Sequence, residues 1–363
     1  MHLTIRMSRC VTELPYDSCA TPPSDERENV GTLKARWSRF LRSLVQLGFA
    51  AAYILWPAAT AVASDAYPNR PIRFVLAQAP GAVVDAVMRR VADKLAAALS
   101  VPIVIENRPG ASGNVASVYV AKQAPDGYTF LVGASGMTTL PTTLGSAAVD
   151  PLRALAPVSL LIRQPIVIVA HPDAHIDSLG ELLARARREP GALAYSTGGV
   201  GTTDHLAALL LSMRAGVRMV NVPYVNIGQE VKDLVAGEVK IGFVTVGNAR
   251  PHVNSGSLRA LAIATSQRSA ALPEVPTIAE SGIPGFDVAL WQGVFAPYAT
   301  PREIVERIHV ELVRALALAD VREMLAASGV EAVGSSPQEF AEEIRAGLRT
   351  WPPLLKAAGL AAQ

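Results

Sequence analysis

Ile72-Arg73-Phe74-Val75-Leu76-Ala77-Gln78-Ala79-Pro80-Gly81-Ala82-Val83-Val84-Asp85 is the stretch that decides the fold. Its first six residues are an apolar run of strand length. Gln78-Ala79-Pro80-Gly81 breaks that run, and a helical pattern follows from Val84, with apolar residues at Val84, Val87, Met88, Val91 and Leu95. A buried strand that feeds a glycine turn and then a helix aims the first free N–H groups of that helix over the strand end. Such a place suits an anion.

The same geometry recurs downstream. Leu193 to Ser196 reads as a strand, Thr197-Gly198-Gly199-Val200-Gly201-Thr202 as a glycine turn, and Thr203 to Ala215 as an apolar-periodic helix. Between and around the two copies, strands and helices alternate. Val101 to Glu106 and Thr129 to Val132 are further strands, each followed by a small-residue loop, Asn107 to Asn114 and Gly133 to Thr139. This alternation predicts an α/β fold with a parallel sheet covered on both faces. Ala156 to Ala170 is long for one strand and is interrupted at Arg163-Gln164-Pro165, so it is read as a first crossing between two lobes, with Val288 to Ala296 as the return. The expected division is residues 67–164 plus 287–363 for lobe 1 and residues 165–286 for lobe 2. Pro273 to Phe286 is expected at the surface. Near the C-terminus, Thr300-Pro301-Arg302-Glu303 and Ser336-Pro337-Gln338-Glu339 are two candidate capping boxes, opening helices to Leu318 and Leu348.

With 363 residues, half of them hydrophobic and 18% charged, the chain can build a large core. Its 33 Lys and Arg nearly balance 31 Asp and Glu, and no basic cluster interleaved with aromatics occurs, which excludes a nucleic-acid groove. Residues 1–66 differ from the rest. Lys34 to Arg42 is basic, Leu44 to Pro57 apolar, and Ala61-Val62-Ala63 a small-x-small cleavage pattern, together a secretory signal with a transmembrane anchor as the alternative. The polar segment before Lys34 is foreign to a signal peptide, which suggests translation from near Val30 or Leu33. Both cysteines, Cys10 and Cys19, precede the cleavage pattern, so the exported chain has no thiol. The expected location is the periplasm.

Catalytic signatures are absent: no HExxH, CxxC, GxxxxGK[ST] or GxGxxG occurs, and Gly133-Ala134-Ser135-Gly136 lacks the final glycine of a nucleophile elbow at Met137. The chain is therefore read as a non-enzyme without cofactor or metal. His171, His175, His252 and His309 lie among polar neighbours and are expected at the surface. His205 falls in the first turn after the second glycine loop, where it either braces that loop or touches a ligand. Asp85 poses the same choice. A carboxylate there suits the helix dipole but repels an anion, so it is expected to brace the loop by accepting backbone N–H bonds.

These residues bring out a resemblance to the Bug family of periplasmic solute receptors, the extracytoplasmic component of tripartite tricarboxylate transporters. It covers Tyr67 to Leu360 and rests on an ordered set: Tyr67-Pro68-Asn69-Arg70-Pro71, Ala79-Pro80-Gly81 with Asp85, Glu106-Asn107-Arg108-Pro109-Gly110, Pro125-Asp126-Gly127-Tyr128, Gly199-Val200-Gly201 with His205, Val222-Pro223-Tyr224 and Leu272-Pro273-Glu274-Val275-Pro276. The resemblance implies a type II periplasmic-binding-protein fold, two Rossmann-like lobes joined by crossover strands at a hinge, closing on a small organic acid. It implies delivery of that acid to integral-membrane permease subunits by a monomeric receptor. A sensor docking to a membrane kinase and a secreted hydrolase are the alternatives. The implied ligand residues are Pro80, Gly81, Ala82, Val83, Val84 and Asp85, then Ser135 and Thr138, then Thr197, Gly198, Gly199, Val200, Gly201 and Thr202, with His205 beside them. Four departures from the family pattern stand out: Ala82 for glycine, Val84 for a hydroxyl residue, Val225-Asn226 for lysine-glycine, and Val244 for aspartate. They remove polar contacts, so a less polar ligand than a tricarboxylate is expected, such as an aromatic or branched acid.

Overall fold

The computed structural model describes residues 67–362; the expected leader and its alternative start lie outside them. The first lobe opens as β1 (Ile72–Leu76), α1 (Val83–Leu99), β2 (Ile103–Asn107), α2 (Asn114–Ala121) and β3 (Thr129–Ala134). β1 pairs in parallel with both β2 and β3, so the loops after all three strands emerge on one edge. Phe74, Leu76, Val84, Met88, Val91 and Leu95 are buried together, which is why the apolar stripe of α1 faces the sheet.

After the short α3 (Leu140–Thr143) comes β4 (Leu155–Ala170). The expected interruption at Arg163-Gln164-Pro165 does not occur: sixteen residues form one strand. What changes there is the partner. Leu155 through Pro165 pair with β9 (Ala289–Pro297), whereas Ile166 through Ala170 pair with β7 (Ile241–Thr245) and β8 (Arg259–Ile263). Pro165 cannot donate an N–H to a ladder, and it stands where one ladder ends and the next begins.

The second lobe contains α4 (Leu179–Arg188), β5 (Ala194–Thr197), α5 (Thr203–Ala215), β6 (Val220–Pro223), α6 (Ile227–Ala236) and α7 (Val246–Asn254). β5 runs parallel to β6 and β7, so its loops also share one edge. The strand order β2-β1-β3-β9-β4-β7-β5-β6 makes a mixed, curled sheet whose two parallel ends belong to the two lobes. The segment from Pro273 to Phe286 exposes Glu274 and Glu280, but it is not merely superficial, since Ile278 and Phe286 are fully buried.

The C-terminal part is α8 (Arg302–Ala317), α9 (Ala319–Ala327), β10 (Glu331–Ala332) and α10 (Pro337–Ala357). The separate α9 and the two-residue β10, paired to β4 at Ile162 and Arg163, are additions to the sequence reading. The Ser336 capping box forms, with Ser336 Oγ accepting from Glu339 N and the Glu339 carboxylate accepting from Ser336 N. The Thr300 box does not. α8 starts one residue later, with Pro301 at its cap, and the Thr300 hydroxyl is buried without a partner.

α10 continues past Leu348 through Pro352 and Pro353. Its first half places Phe340 and Ile344 among Trp291 and Phe295 of the first lobe, and its end places Leu354 and Leu355 in the second lobe's core. α10 thus spans both lobes. Among the described residues, no helix is long and apolar enough to cross a membrane.

Candidate functional site

The turn after β1 is held by the first turn of α1. Asp85 accepts from Gly81 N at 3.0 Å, from Arg89 Nε at 3.1 Å and from Asn107 Nδ2 at 3.0 Å, and Asn107 Nδ2 also donates to Gln78 O. The Arg89 guanidinium, with the Gly81 amide and Asn107, keeps the Asp85 carboxyl below its ordinary range against the cost of burial. Asp85 therefore braces this loop. It also removes Gly81 N–H from any ligand. Ala82 N turns back to Ala79 O, while among the described residues no protein acceptor meets the amides of Val83 and Val84.

The turn after β5 repeats the device with different chemistry. Asp204, in the first turn of α5, accepts from Gly198 N, and His205 Nδ1 accepts from Gly201 N at 3.0 Å. Accepting at Nδ1 puts the ring proton on Nε2, and burial lowers the imidazole's basicity, so His205 is a neutral brace. Asp204 has no arginine or lysine among the groups that set its charge, and burial pushes its carboxyl up. Behind it, Glu230 in the first turn of α6 is buried, with Oε1 unpartnered, beside Ser196 and Asp204, and burial raises its pKa to about 7. The amides of Gly199, Val200 and Thr203 have no protein acceptor among the described residues.

Three loop ends of lobe 1 gather in one place. A Cβ on Gly113 would lie 3.1 Å from Ala77 Cβ, and one on Gly136 would lie 3.7 Å from Ser112 O. The Ser135 loop then reaches the other lobe: Ser135 Oγ and Thr203 Oγ1 are 2.8 Å apart, both buried. This hydroxyl pair is where the two halves of the candidate site meet.

The remaining candidates separate by orientation. Pro80 and Gly81 are exposed and Ala82 is half-buried. Thr138 is buried and donates to Ser135 O, Thr197 is buried and donates to Asn221 Oδ1, and Thr202 donates to Gly199 O, so these hydroxyls shape the loops. Of the four departures, Val84 and Val244 turn into the cores, so their side chains replace no contact at the loop surface, whereas Ala82 and Val225 stay accessible. Sequence reasoning passed over Asp204 and Glu230, and it noted Thr203 and Asn107 in their turns without placing them among the ligand residues. Asp204 obeys the first-turn rule that singled out Asp85; Glu230 had no local signal.

A cavity of about 210 Å³ lies against the Ser135–Thr203 contact, walled by Leu206 and Leu210 of α5, Trp291 of β9, and Gly347 and Trp351 of α10. Its wall includes Asp287, whose carboxylate is already paired with Arg163 at 3.0 Å. Ser135, Thr203 with its free amide, and Arg214 of α5 also line it, whereas Gly81, Val83, Gly199 and Val200 do not, so the cavity adjoins the glycine turns.

Comparison with known proteins gives a consistent picture. The profile of the family described as "Tripartite tricarboxylate transporter family receptor" matches residues 87–360. Protein BugT of Bordetella pertussis is 34% identical over 307 residues, spanning 83% of this chain and 93% of that protein. An R. palustris protein solved with adipate superposes with a TM-score of 0.69 at 32% identity, over 81% of this chain and 99% of that one. MatC from Rhodopseudomonas palustris with bound malate gives 0.67 at 31% identity, over 80% and 100%.

Proposed function

Because the chain belongs to the tripartite tricarboxylate transporter receptor family, as a Bug-type solute-binding protein, we propose that it captures a small carboxylated metabolite in the periplasm and presents it to integral-membrane permease subunits. The observation that carries this reading is the pair of glycine turns, one per lobe. Each has a first-turn acidic residue tying down one amide and others left free, and the lobes touch beside them at Ser135 and Thr203. Unpaired amides at helix N-termini favour a carboxylate, each terminus contributing on the order of 1 kcal/mol. The neighbours solved with adipate and malate support the same ligand class.

In this reading lobe 1 comprises residues 67–164 and 287–363 and lobe 2 residues 165–286, with the leader removed on export and the receptor acting as a monomer without catalysis. Val83, Val84, Gly199 and Val200 offer their amides and Ser135 its hydroxyl, while Asp85 and His205 hold the loops. Native mass spectrometry of protein purified from its host's periplasm tests the reading. A bound small acid, released on unfolding, is expected; binding of no carboxylate from a broad panel would end it. Loss of uptake of that acid in a deletion strain tests delivery to the permease.

A further inference from the structure

We propose that the ligand carries a single carboxylate on an apolar body, and that Val83, Val200, Val225 and Ile227 select for that body. The inference rests on the receptor reading and narrows it.

The loops have donors for one carboxylate. Asp85, Asp204 and His205 take the amides of Gly81, Gly198 and Gly201, leaving Val83 and Val84 in one lobe and Gly199, Val200 and Thr203 in the other. A carboxylate has two oxygens with about four acceptor sites, a match for one oxygen per lobe. The arginines on or beside these loops are already engaged. Arg89 is held by Asp85 and Asn107, and Arg108 pairs with Glu106 and stacks 3.6 Å from the Tyr119 ring centroid. Arg214, which lines the cavity together with Ser135 and Thr203, donates to Pro284 O.

A second carboxylate would also find no counter-ion behind the second turn. Asp204 and Glu230 lie buried behind the second turn; the groups beside them are Ser196, Tyr195, Tyr224, Thr202 and the neutral His205, none of them a cation. Ligand hydroxyls would fare little better, because Thr138, Thr197 and Thr202 already donate within the protein. Beyond the Ser135–Thr203 pair few hydroxyls are left to donate, so a hydroxy-acid gains little return for desolvation.

What the loops do present is aliphatic surface. Val83 is 40% exposed, Val200 58% and Ile227 40%, and Val225 is fully exposed. Val83 and Val200 belong to the residues whose amides are free. A Cβ on Gly198 would lie 2.6 Å from Ile227 Cδ1, so that side chain rests on the second turn. Val83 stands on the first turn and Val200, Val225 and Ile227 on or just after the second, and exposed apolar surface marks a binding face. Here it flanks a carboxylate cradle, which assigns it to the rest of the same molecule.

Isothermal titration of the purified protein with straight-chain monoacids and diacids of four to eight carbons, benzoate, phthalate, malate and citrate tests this. The best monoacid should bind at least tenfold more tightly than the diacid of equal length. V200S combined with I227S should weaken that monoacid about tenfold, shift any diacid less than twofold, and melt within a few degrees of wild type. Diacids or malate binding as tightly as the monoacids would overturn the inference and leave the receptor reading standing. An unchanged monoacid affinity in the double variant would overturn the role of the aliphatic collar. Binding of none of these acids would overturn the receptor reading along with it.

Discussion

Asp85 and Glu230 are both buried carboxylates in the first turn of a helix, and their surroundings pull them in opposite directions. Arg89 holds Asp85 below its ordinary value of 3.8, so its contribution to stability is present above that value and fades as the pH falls through the lowered one. Asp85→Asn should cost about 1–3 kcal/mol at pH 7, with the gap to wild type closing in acid; thermal melts across pH measure both. Burial instead raises Glu230 from 4.5 to about 7, so its folded form is favoured below pH 4.5 and that advantage is lost as the pH rises through 7. Glu230→Gln should therefore flatten this loss and be more stable than wild type at pH 8 by about 1–3 kcal/mol. The two residues also mark how far a sequence can be read. Asp85 and His205 stand four residues from the glycines they brace, within one turn, and could be judged locally. Glu230 is buried only because β5 and α5 pack against the start of α6, a contact of distant segments with no local trace.

Helix starts show how a motif can be right in letters and wrong in phase. Ser336-Pro337-Gln338-Glu339 forms its box, so Ser336→Ala should lose about 1 kcal/mol. In Thr300-Pro301-Arg302-Glu303 the helix opens one residue late, which places the hydroxyl out of reach and leaves it buried without a partner. Thr300→Val should then be neutral or slightly stabilising, an outcome opposite to the Ser336 substitution that paired chemical-denaturation curves would separate. Gly247 belongs to the same scale. A Cβ there would strike the Ser328 carbonyl at the end of α9, a contact reinforced by Arg250 donating to Ala326 O and Ala327 O. Gly247→Ala should destabilise by about 1–3 kcal/mol, with hydrogen exchange rising in α7 and α9. Helix ends are poorly legible because a cap is decided within one residue, whereas the long stripe of α1 spreads its signal over four turns.

At the scale of the whole molecule, the alternation of strands and glycine loops was enough to expect two lobes, and the resemblance to a known receptor family supplied their closure. Two features escaped that reading. β4 remains a single strand through Pro165 because its partner changes there, and α10 passes through two prolines because Leu354 and Leu355 are buried on the far side. Both depend on tertiary packing overriding local preference. Domain motion can be tested cleanly, since no cysteine follows Cys19. Spin labels on Leu144→Cys and Met213→Cys, exposed positions in lobe 1 and lobe 2, should give a broad distance distribution that narrows when the acid found by native mass spectrometry is added. The helix that bridges the halves has a further consequence. If the halves swing on a ligand as proposed, two ribbons alone would let them twist and slide as well, whereas a third, stiff tie would suppress twisting and leave a single opening coordinate. A jaw that can travel along only one path gives up little freedom when it shuts, so discrimination among solutes falls to the lining of its mouth rather than to the motion itself.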